Sequence, residues 1–530
     1  MSGVVVENFE PGVTAIVNSG QVASPINRQP SSTFFAVGYT IWGPPNTAIV
    51  CTSWNQFVTD FGGFNGNSHL ADAAYMFFNL WQGNTAWFVR IVGTSNATWT
   101  LTPAGGVTAF TVTVNGHTTP SQTLAGLTAV TLQTAIQSLA SVGAGNALVT
   151  GSTGGPFTVT LAGALAATYE PSSFVTASGT GGTVTVAQTN PGDPKVGSVT
   201  LEDQGESPQP TLEIAAKYPT TSVDISYSIQ AGTETNTFRL FVKSVALSIA
   251  ETYDNMLMGD PTSIQTVNQA SNLVQLTDLG STNVAPANLP VITSLSELPP
   301  GDDDFGDITD ATAIGTDDGN GNRTGLQCFN SEIFGDGQVA IPGFTSLAIM
   351  EALDAHANTY HRFAILDPPF GSDAQEMIDI RQNFGTWYSS TYWPWCLHES
   401  FDGSGLQIYY PPSAHAAGAC YEADTTIGTQ KAPANYVVPT CLGVELSPSG
   451  QIQTDDGTRS LLNYNSINVI APLPNQGVKI YGARVMTIDT RVQMVHEIRL
   501  LNLFYYSAKL GYQYAVFQVV DGPNGRLFRD

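Results

Sequence analysis

The sequence predicts a multidomain chain of mixed α/β and β architecture, and three observations carry that reading. Near the start, a strand, two helices and a second strand follow one another as in an α/β unit. A long stretch then loses nearly all charge and alternates apolar residues with threonine, the pattern of half-buried strands. Beyond residue 337 the α/β pattern returns. At 530 residues the chain exceeds one ordinary core, and its length favours roughly three or four domains.

The opening unit begins with the apolar strand AIVC at 48–51, which runs into Ser53-Trp-Asn-Gln56. A hydroxyl followed three residues later by Gln predicts a capping box and a helix start. Phe57 and Phe61 share one face of that helix, and Gly62-Gly63 stops it. LADAAYMFFNLWQG, 70–83, places Leu70, Ala73, Ala74, Phe77 and Trp81 on one helical face, with Gly83 as its end. AWFVRIVG then reads as a strand buried on both sides.

Between Ile91 and Gly192 the one charged residue is Glu170. FTVTVNG at 110–116 and FTVTLAG at 157–163 alternate, and Leu132, Ala135, Ile136 and Leu139 give a short amphipathic helix between them. This predicts an inserted β-rich module over 93–195, resting on that strand-helix-strand unit and closed by TNPGDPK. SVDISYSI and FRLFVKS continue the strand pattern from 196 to 244. Residues 297–318 hold eight acidic groups and no basic one, most simply a solvated loop. The α/β character resumes with QVAIPGF, a helix over Leu347, Met350, Leu353 and Ala357, and the strand FAILD. A long helix is expected near 491–511 with Ile498, Leu501, Tyr505 and Ala508 on one side, then a last strand, YAVFQVV.

Composition excludes several classes. Apolar residues make up 42% and aromatics 10%, enough for several cores. Eighteen basic against 43 acidic residues give a net charge of −25, which repels phosphate backbones and argues against direct nucleic-acid binding. Charged residues are only 12% of the chain, which suits surfaces that meet other protein surfaces. Five cysteines at 51, 328, 396, 420 and 441 include no Cys-x-x-Cys, so neither a disulfide framework nor a zinc site is indicated. The N-terminus lacks the layout of a signal peptide, and nowhere do 18 apolar residues run together, so neither secretion by a signal peptide nor membrane insertion is expected.

No catalytic or cofactor residue is predicted. Gly-x-x-x-x-Gly-Lys-Ser/Thr, Gly-x-Gly-x-x-Gly and Gly-x-Ser-x-Gly are all missing, so the opening turn has neither phosphate cradle nor nucleophile elbow. His356 and His361 stand five apart, off a common helical face, and the seven histidines read as core or surface residues. Asp318-Gly-Asn320-Gly-Asn322 suggests calcium, but Arg323 and Phe329 occupy the positions of the loop glycine and the bidentate glutamate, so no metal is expected. Asp367 ends an apolar strand, where α/β enzymes place acids, yet no base stands beside it in sequence. GTSNA at 93–97 lies close to the sequence around a subtilisin nucleophile, but only His69 precedes Ser95, a mere 26 residues away.

PSSTFFAVGYTIWGPPNTAIVCTSWNQFVTDFGG, followed by LADAAYMFFNLWQGNTAWFVRIVG, resembles the N-terminal signature of contractile phage tail sheath proteins. PGVTAI near the start, then GQVAIPGFTS, HRFAILDPP, WPWCL, YYPPSAHAAGACYEAD, IGTQKAPAN, YNSINVI and GVKIYGARVM, each sit in that family's order. Val485 and Glu497 depart from its usual Thr and Arg. The resemblance implies a subtilisin-like α/β core that has lost its triad, interrupted by β-rich insertions. Its layout is an arm over 1–20, core over 21–92, the insertion over 93–195, a β-rich segment over 196–265, core again over 266–435, and a C-terminal sheath domain over 436–530. Family members continue beyond the equivalent of GRLFRD, so the resemblance implies either that the chain is cut short at Asp530, the favoured reading, or that another polypeptide supplies the rest.

What the resemblance implies for function is a structural protein rather than an enzyme, with no cofactor. It would polymerise in stacked hexameric rings around a tail tube, contract, and drive the tube through a host envelope for viral genome ejection. Expected partners are other copies, the tube protein, and the baseplate and tail terminator proteins. The expected location is the virion tail, after assembly in the host bacterial cytoplasm. Val4, Val5 and Val6 would form an inter-subunit arm, or else an ordinary first strand, and Arg491, Arg499 and Lys509 would face the tube. The other readings are the sheath of a bacterial contractile injection particle and an α/β hydrolase-like enzyme with a site near Asp367 and His398.

Overall fold

The computed structural model describes residues 30–511, apart from 167–169, 191, 193 and 488. Val4, Val5 and Val6 and the strand predicted at YAVFQVV lie outside the described residues. The architecture is mixed α/β and β, with several sheets.

Eight strands form the central sheet, in the order Ala48–Cys51, Ala86–Ile91, Phe34–Tyr39, Gln338–Ala340, Phe363–Leu366, Ser389–Trp393, Asn468–Leu473 and Gly477–Ile480. The six inner strands are parallel, and each edge strand pairs antiparallel to its neighbour. A parallel sheet needs cover on both faces, which is why these strands read as unbroken apolar runs. The two-residue period splits them cleanly. Phe34 and Ala36 enter one core with the Leu70–Tyr75 and Ser413–Thr426 helices, whereas Phe35 and Val37 enter another with the Leu347–Tyr360 helix. Full burial of each such phenylalanine stabilises by about 1.5–3 kcal/mol.

The first helix, Trp54–Phe61, starts as predicted: Ser53 Oγ accepts from Gln56 N–H (3.2 Å). Gln56 Oε1 accepts from Thr52 N–H (3.0 Å), one residue before the position a capping box would use. The second helix differs from its prediction. Regular α geometry covers Leu70–Tyr75, and Met76–Leu80 is a π turn in which Trp81 N–H bonds Met76 O (3.0 Å) and Gly83 N–H bonds Phe77 O (2.8 Å). The wider turn carries the Trp81 ring onto Gly418, where an added Cβ would lie 2.1 Å from Trp81 Cγ.

Between Ile91 and Gln338 the chain builds two β-rich bodies. In the first, Thr183–Asn190, Thr98–Ala104, Phe157–Leu161 and Ala147–Gly151 form one sheet, and Ala109–Val114 pairs with Val175–Thr180 in another. The strand-helix-strand unit is therefore divided: its two strands lie in different sheets facing one core of Trp99, Phe110, Leu132, Ile136 and Phe157. In the second, the sheet Ile249–Met256, Phe238–Ser244, Ser226–Ala231 and Thr293–Glu297 shares a core with the sheet Ser198–Glu202, Pro210–Ala216 and Val274–Asp278. This body runs past residue 265, because the Pro261–Ala270 helix and the strands after it pack into the same core.

The last helix is Val495–Gly511, begun by Glu497 Oε2 accepting from Gln493 and Met494 N–H (both 3.0 Å). Its buried face carries Val495, Ile498, Arg499, Asn502, Leu503 and Tyr506, and Leu501 is exposed. The face is rotated from the expected one because Arg499 and Asn502 take inner positions while Leu501 turns outward.

Candidate functional site

The carboxyl ends of parallel strands are where open α/β sheets place ligands and chemistry. Asp367 follows Phe363–Leu366 there and is 2% exposed. Its carboxylate accepts from Ser413 N–H (2.8 Å), Ser413 O–H (2.7 Å) and Gly343 N–H (3.1 Å). Burial pushes it up to about 6, against the opposite pull of those hydrogen bonds. Ser413 opens the Ser413–Thr426 helix, so the acid ties a loop to a helix start. A serine triad needs a histidine between acid and nucleophile, and here the serine O–H donates to the acid directly. His69 bonds Asp72 (3.1 Å), and Ser95 bonds Asn190. The geometry of Asp367 and Ser413 holds elements together.

Beside this clamp lies a cluster that sequence spacing gave no reason to expect. Cys396, His398 and His415 are each fully buried, and their donor atoms all lie within 4.8 Å of one another. Trp81 Nε1–H donates to His415 Nδ1 (3.0 Å), which leaves the His415 proton on Nε2, facing His398 Nε2 (3.0 Å). His398 Nδ1–H then donates to Thr440 Oγ1 (3.3 Å). Burial holds the His415 imidazole well below its ordinary range, and His398 acts in the same direction. Cys441 adds a second thiol. The neighbouring Cys396 thiol raises its acidity, while Cys396 itself is pushed well up. The π turn that sets Trp81, the Cys396–Glu399 strand, the helix start and the 438–443 turn all meet here.

The amino end of the same sheet is charged. Arg499, 1% exposed, donates to Asp424 (2.6 Å) and to Ser31 O (3.1 Å). Ser31 O–H donates to Asp424 (2.6 Å), and Gln338 Nε2–H donates to Ser31 O (2.9 Å). Asp336 is buried nearby, and burial pushes it far above the carboxylate range, against the pull of Arg499. The expectation of a tube-facing Arg499 is therefore corrected: its cation neutralises a buried carboxylate inside the molecule. Arg491 is exposed and pairs with Asp489 (2.6 Å), and Lys509 is half-exposed against Glu332.

The acidic stretch is also corrected in part. Asp303 is fully buried, where Arg90 NH2 (3.1 Å) and Tyr39 O–H (2.8 Å) donate to it. Arg90, equally buried, donates as well to the carbonyls of Thr40, Gly43 and Pro219, tying the sheet to the second β-rich body. In the calcium-like stretch, Asp318 accepts from Asn320 and Asn322 N–H and Asp317 pairs with Arg323, so these oxygens complete their own turn. Among the described residues no helix is long and apolar enough to cross a membrane.

No protein-family model matches the chain. Over 213 residues it is 25% identical to a putative prophage major tail sheath protein of Pseudomonas aeruginosa (strain UCBPP-PA14), covering 37% of this chain and 51% of the relative, so it spans about half that relative's length. Among solved structures, the sheath tail protein from Listeria innocua aligns with TM-score 0.49 at 8% identity, covering 92% of this chain and 78% of the other. The sheath tail protein from Desulfitobacterium hafniense aligns with TM-score 0.46 at 11% identity, covering 99% and 86%. The contracted sheath complex of an extracellular contractile injection system aligns with TM-score 0.31 at 23% identity, covering 36% and 51%. Over its 213 matched residues the chain is thus a relative of a prophage major tail sheath protein.

Proposed function

We propose that this chain is the structural subunit of a contractile tail sheath, and the relationship to a prophage major tail sheath protein is the observation that carries the reading. The central sheet is in this proposal a subtilisin-like core without a triad; the Asp367–Ser413 hydrogen bond, which leaves that serine no basic partner, supports it. Subunits stack in hexameric rings around a tail tube, linked by terminal arms that include Val4, Val5 and Val6. Contraction is a change between two packings of rigid bodies, driven by better contacts in the contracted lattice, and it consumes no nucleotide. The two β-rich bodies between Ile91 and Gln338 stand outside the repeating contacts as insertions.

Arg491 and Lys509 are the cations of the original tube-facing set that remain at the surface. The paired substitution Arg491→Glu and Lys509→Glu is expected to stop assembly on purified tubes, scored by sedimentation. Normal co-sedimentation would remove the tube contact from this surface. Negative-stain electron microscopy of the purified chain at high concentration tests the larger reading. Wide hollow tubes are the expected result. If the chain gives no polymers at any concentration, with or without tubes, the sheath assignment fails.

A further inference from the structure

Cys396, His398 and His415 converge on one buried point, and Cys441, 45 residues along the chain from Cys396, lies on the turn paired to the same strand. We propose that these four side chains hold a single borderline-soft divalent cation of the zinc class. Two thiols and two imidazoles, with no carboxylate among them, form the nitrogen–sulfur set that zinc prefers in closed, four-coordinate sites.

Geometry carries the first three ligands. Metal–ligand bonds of about 2.0–2.3 Å place tetrahedral donors roughly 3.3–3.8 Å apart. The donors of Cys396, His398 and His415 lie within 4.8 Å of one another, and the two Nε2 atoms stand 3.0 Å apart. Small rotamer adjustments bring them to bonding distance. The outer contact on His398 is already the one a metal ligand needs: Nδ1–H on Thr440 Oγ1 fixes the tautomer and turns the Nε2 lone pair inward.

Cys441 completes the set from the neighbouring turn. Leu442 N–H bonds Leu397 O (2.8 Å) and Cys396 pairs with Val444, so the turn that carries Cys441 is stitched to the strand that carries Cys396. The Cys441 thiol now donates to Gly443 O (3.0 Å) within that turn. The proton balance closes. Binding releases both thiol protons to solvent and moves the His415 proton from Nε2 to Nδ1, so both imidazoles stay neutral. Trp81 Nε1–H, which now donates to that Nδ1, must turn away. Three hydrogen bonds, from Trp81 to His415, from His415 to His398 and from Cys441 to Gly443, are given up against four metal–ligand bonds, and the cation prevails.

Such an ion would fasten the Cys396–Glu399 strand, the turn before Gly443–Val444 and the Ser413–Thr426 helix at one point of the sheet's carboxyl end. The inference stands on these residues alone and does not rest on the sheath reading.

The test uses the full chain, expressed in zinc-supplemented medium and purified under reducing, chelator-free conditions. Metal is counted by inductively coupled plasma mass spectrometry, and cobalt(II) exchange reads thiolate-to-metal charge transfer in the near ultraviolet. One zinc per chain surviving gel filtration and a charge-transfer band are expected. Cys441→Ser and His398→Gln should each lower retained metal by about tenfold or more, and Cys328→Ser, remote from the cluster, should not. Metal-free wild-type chain that also gives no cobalt band overturns the proposal, as does metal content unaffected by both ligand substitutions. The wild-type stoichiometry and cobalt spectrum decide even where a variant fails to fold.

Discussion

The two ends of the central sheet are built from opposite materials. At the carboxyl end, Asp367, Ser413, His398, His415 and Trp81 form hydrogen-bonded chains in which each donor meets an acceptor. At the amino end, Arg499, Asp424 and Asp336 bring charge into the interior, and several polar atoms there have no hydrogen-bond partner among the described residues: Arg499 Nε and Nη1, Asp424 Oδ1, Asp336 Oδ2, Ser390 Oγ and Asn502 Nδ2. A buried polar atom without a partner costs about 1–3 kcal/mol, so the amino end holds together through its ion pair in spite of that deficit. Ser31, close to the first described residue, is bound directly into the amino-end cluster, and Arg499 lies on the last described helix. The lesson is that the catalytic-looking side chains pair with one another, and the end that ties Ser31 to the last described helix carries several uncompensated groups.

The largest effect is therefore expected from Arg499→Leu, which leaves Asp424 buried without its cation. Removing one partner of a buried pair costs about 3–5 kcal/mol. Urea denaturation of the variant measures it, with Asp424→Asn as the converse. If the loss were below that of an ordinary surface substitution, the amino-end ion pair would not be what holds Ser31 and the last helix.

Next in size comes the pH dependence written into the carboxyl end. Asp367 stands at about 6 in the fold and near 3.9 in the unfolded chain, so the native state binds its proton more tightly. The contribution to stability is then greatest below pH 4 and falls as pH rises through about 6, by about 2–3 kcal/mol in all. Buried Asp336 has the same sign, so the informative quantity is the difference between wild type and Asp367→Asn. That variant should lose part of the decline between pH 4 and pH 6. An identical slope in both proteins would show that Asp367 is ionised without penalty.

How much of this was legible in the sequence follows from the range of each interaction. The parallel strands and the Trp54–Phe61 helix show because period and capping are local: Phe34 through Val37 alternate between two cores, and Ser53 reaches only three residues. Asp303 was hidden in an acidic run, because its partner Arg90 lies 213 residues away. Arg499 was read as a surface cation, since a helix pattern records polarity but not whether a carboxylate waits inside. The Cys and His cluster has no motif spacing at all. Cys396 and His398 come from a strand, His415 from a helix and Cys441 from a turn, so only the fold assembles them.

The smallest predicted effect concerns the element that joins the two ends. The Ser413–Thr426 helix starts on Asp367 and carries Asp424 in its last turn, and Gly418 between them lies against Trp81. Gly418→Ala should gain about 1 kcal/mol from helix propensity. The new methyl, however, would stand 2.1 Å from Trp81 Cγ and 2.4 Å from Cδ1, contacts that only a shift of the ring or the helix can relieve. Overpacking of this kind costs about 1–3 kcal/mol, so a net loss of up to about 2 kcal/mol is expected from urea denaturation. Hydrogen exchange on the variant then separates the ends. If the helix shifts as a rigid rod, amides near Asp367 and near Asp424 lose protection together. If only the Trp81 ring yields, protection falls at the carboxyl end alone, because the Trp81–His415 bond is broken there and the Arg499–Asp424 pair is untouched. A stabilised variant with both ends protected would show that the close approach of helix and π turn is not required, and that the two ends are set independently of each other.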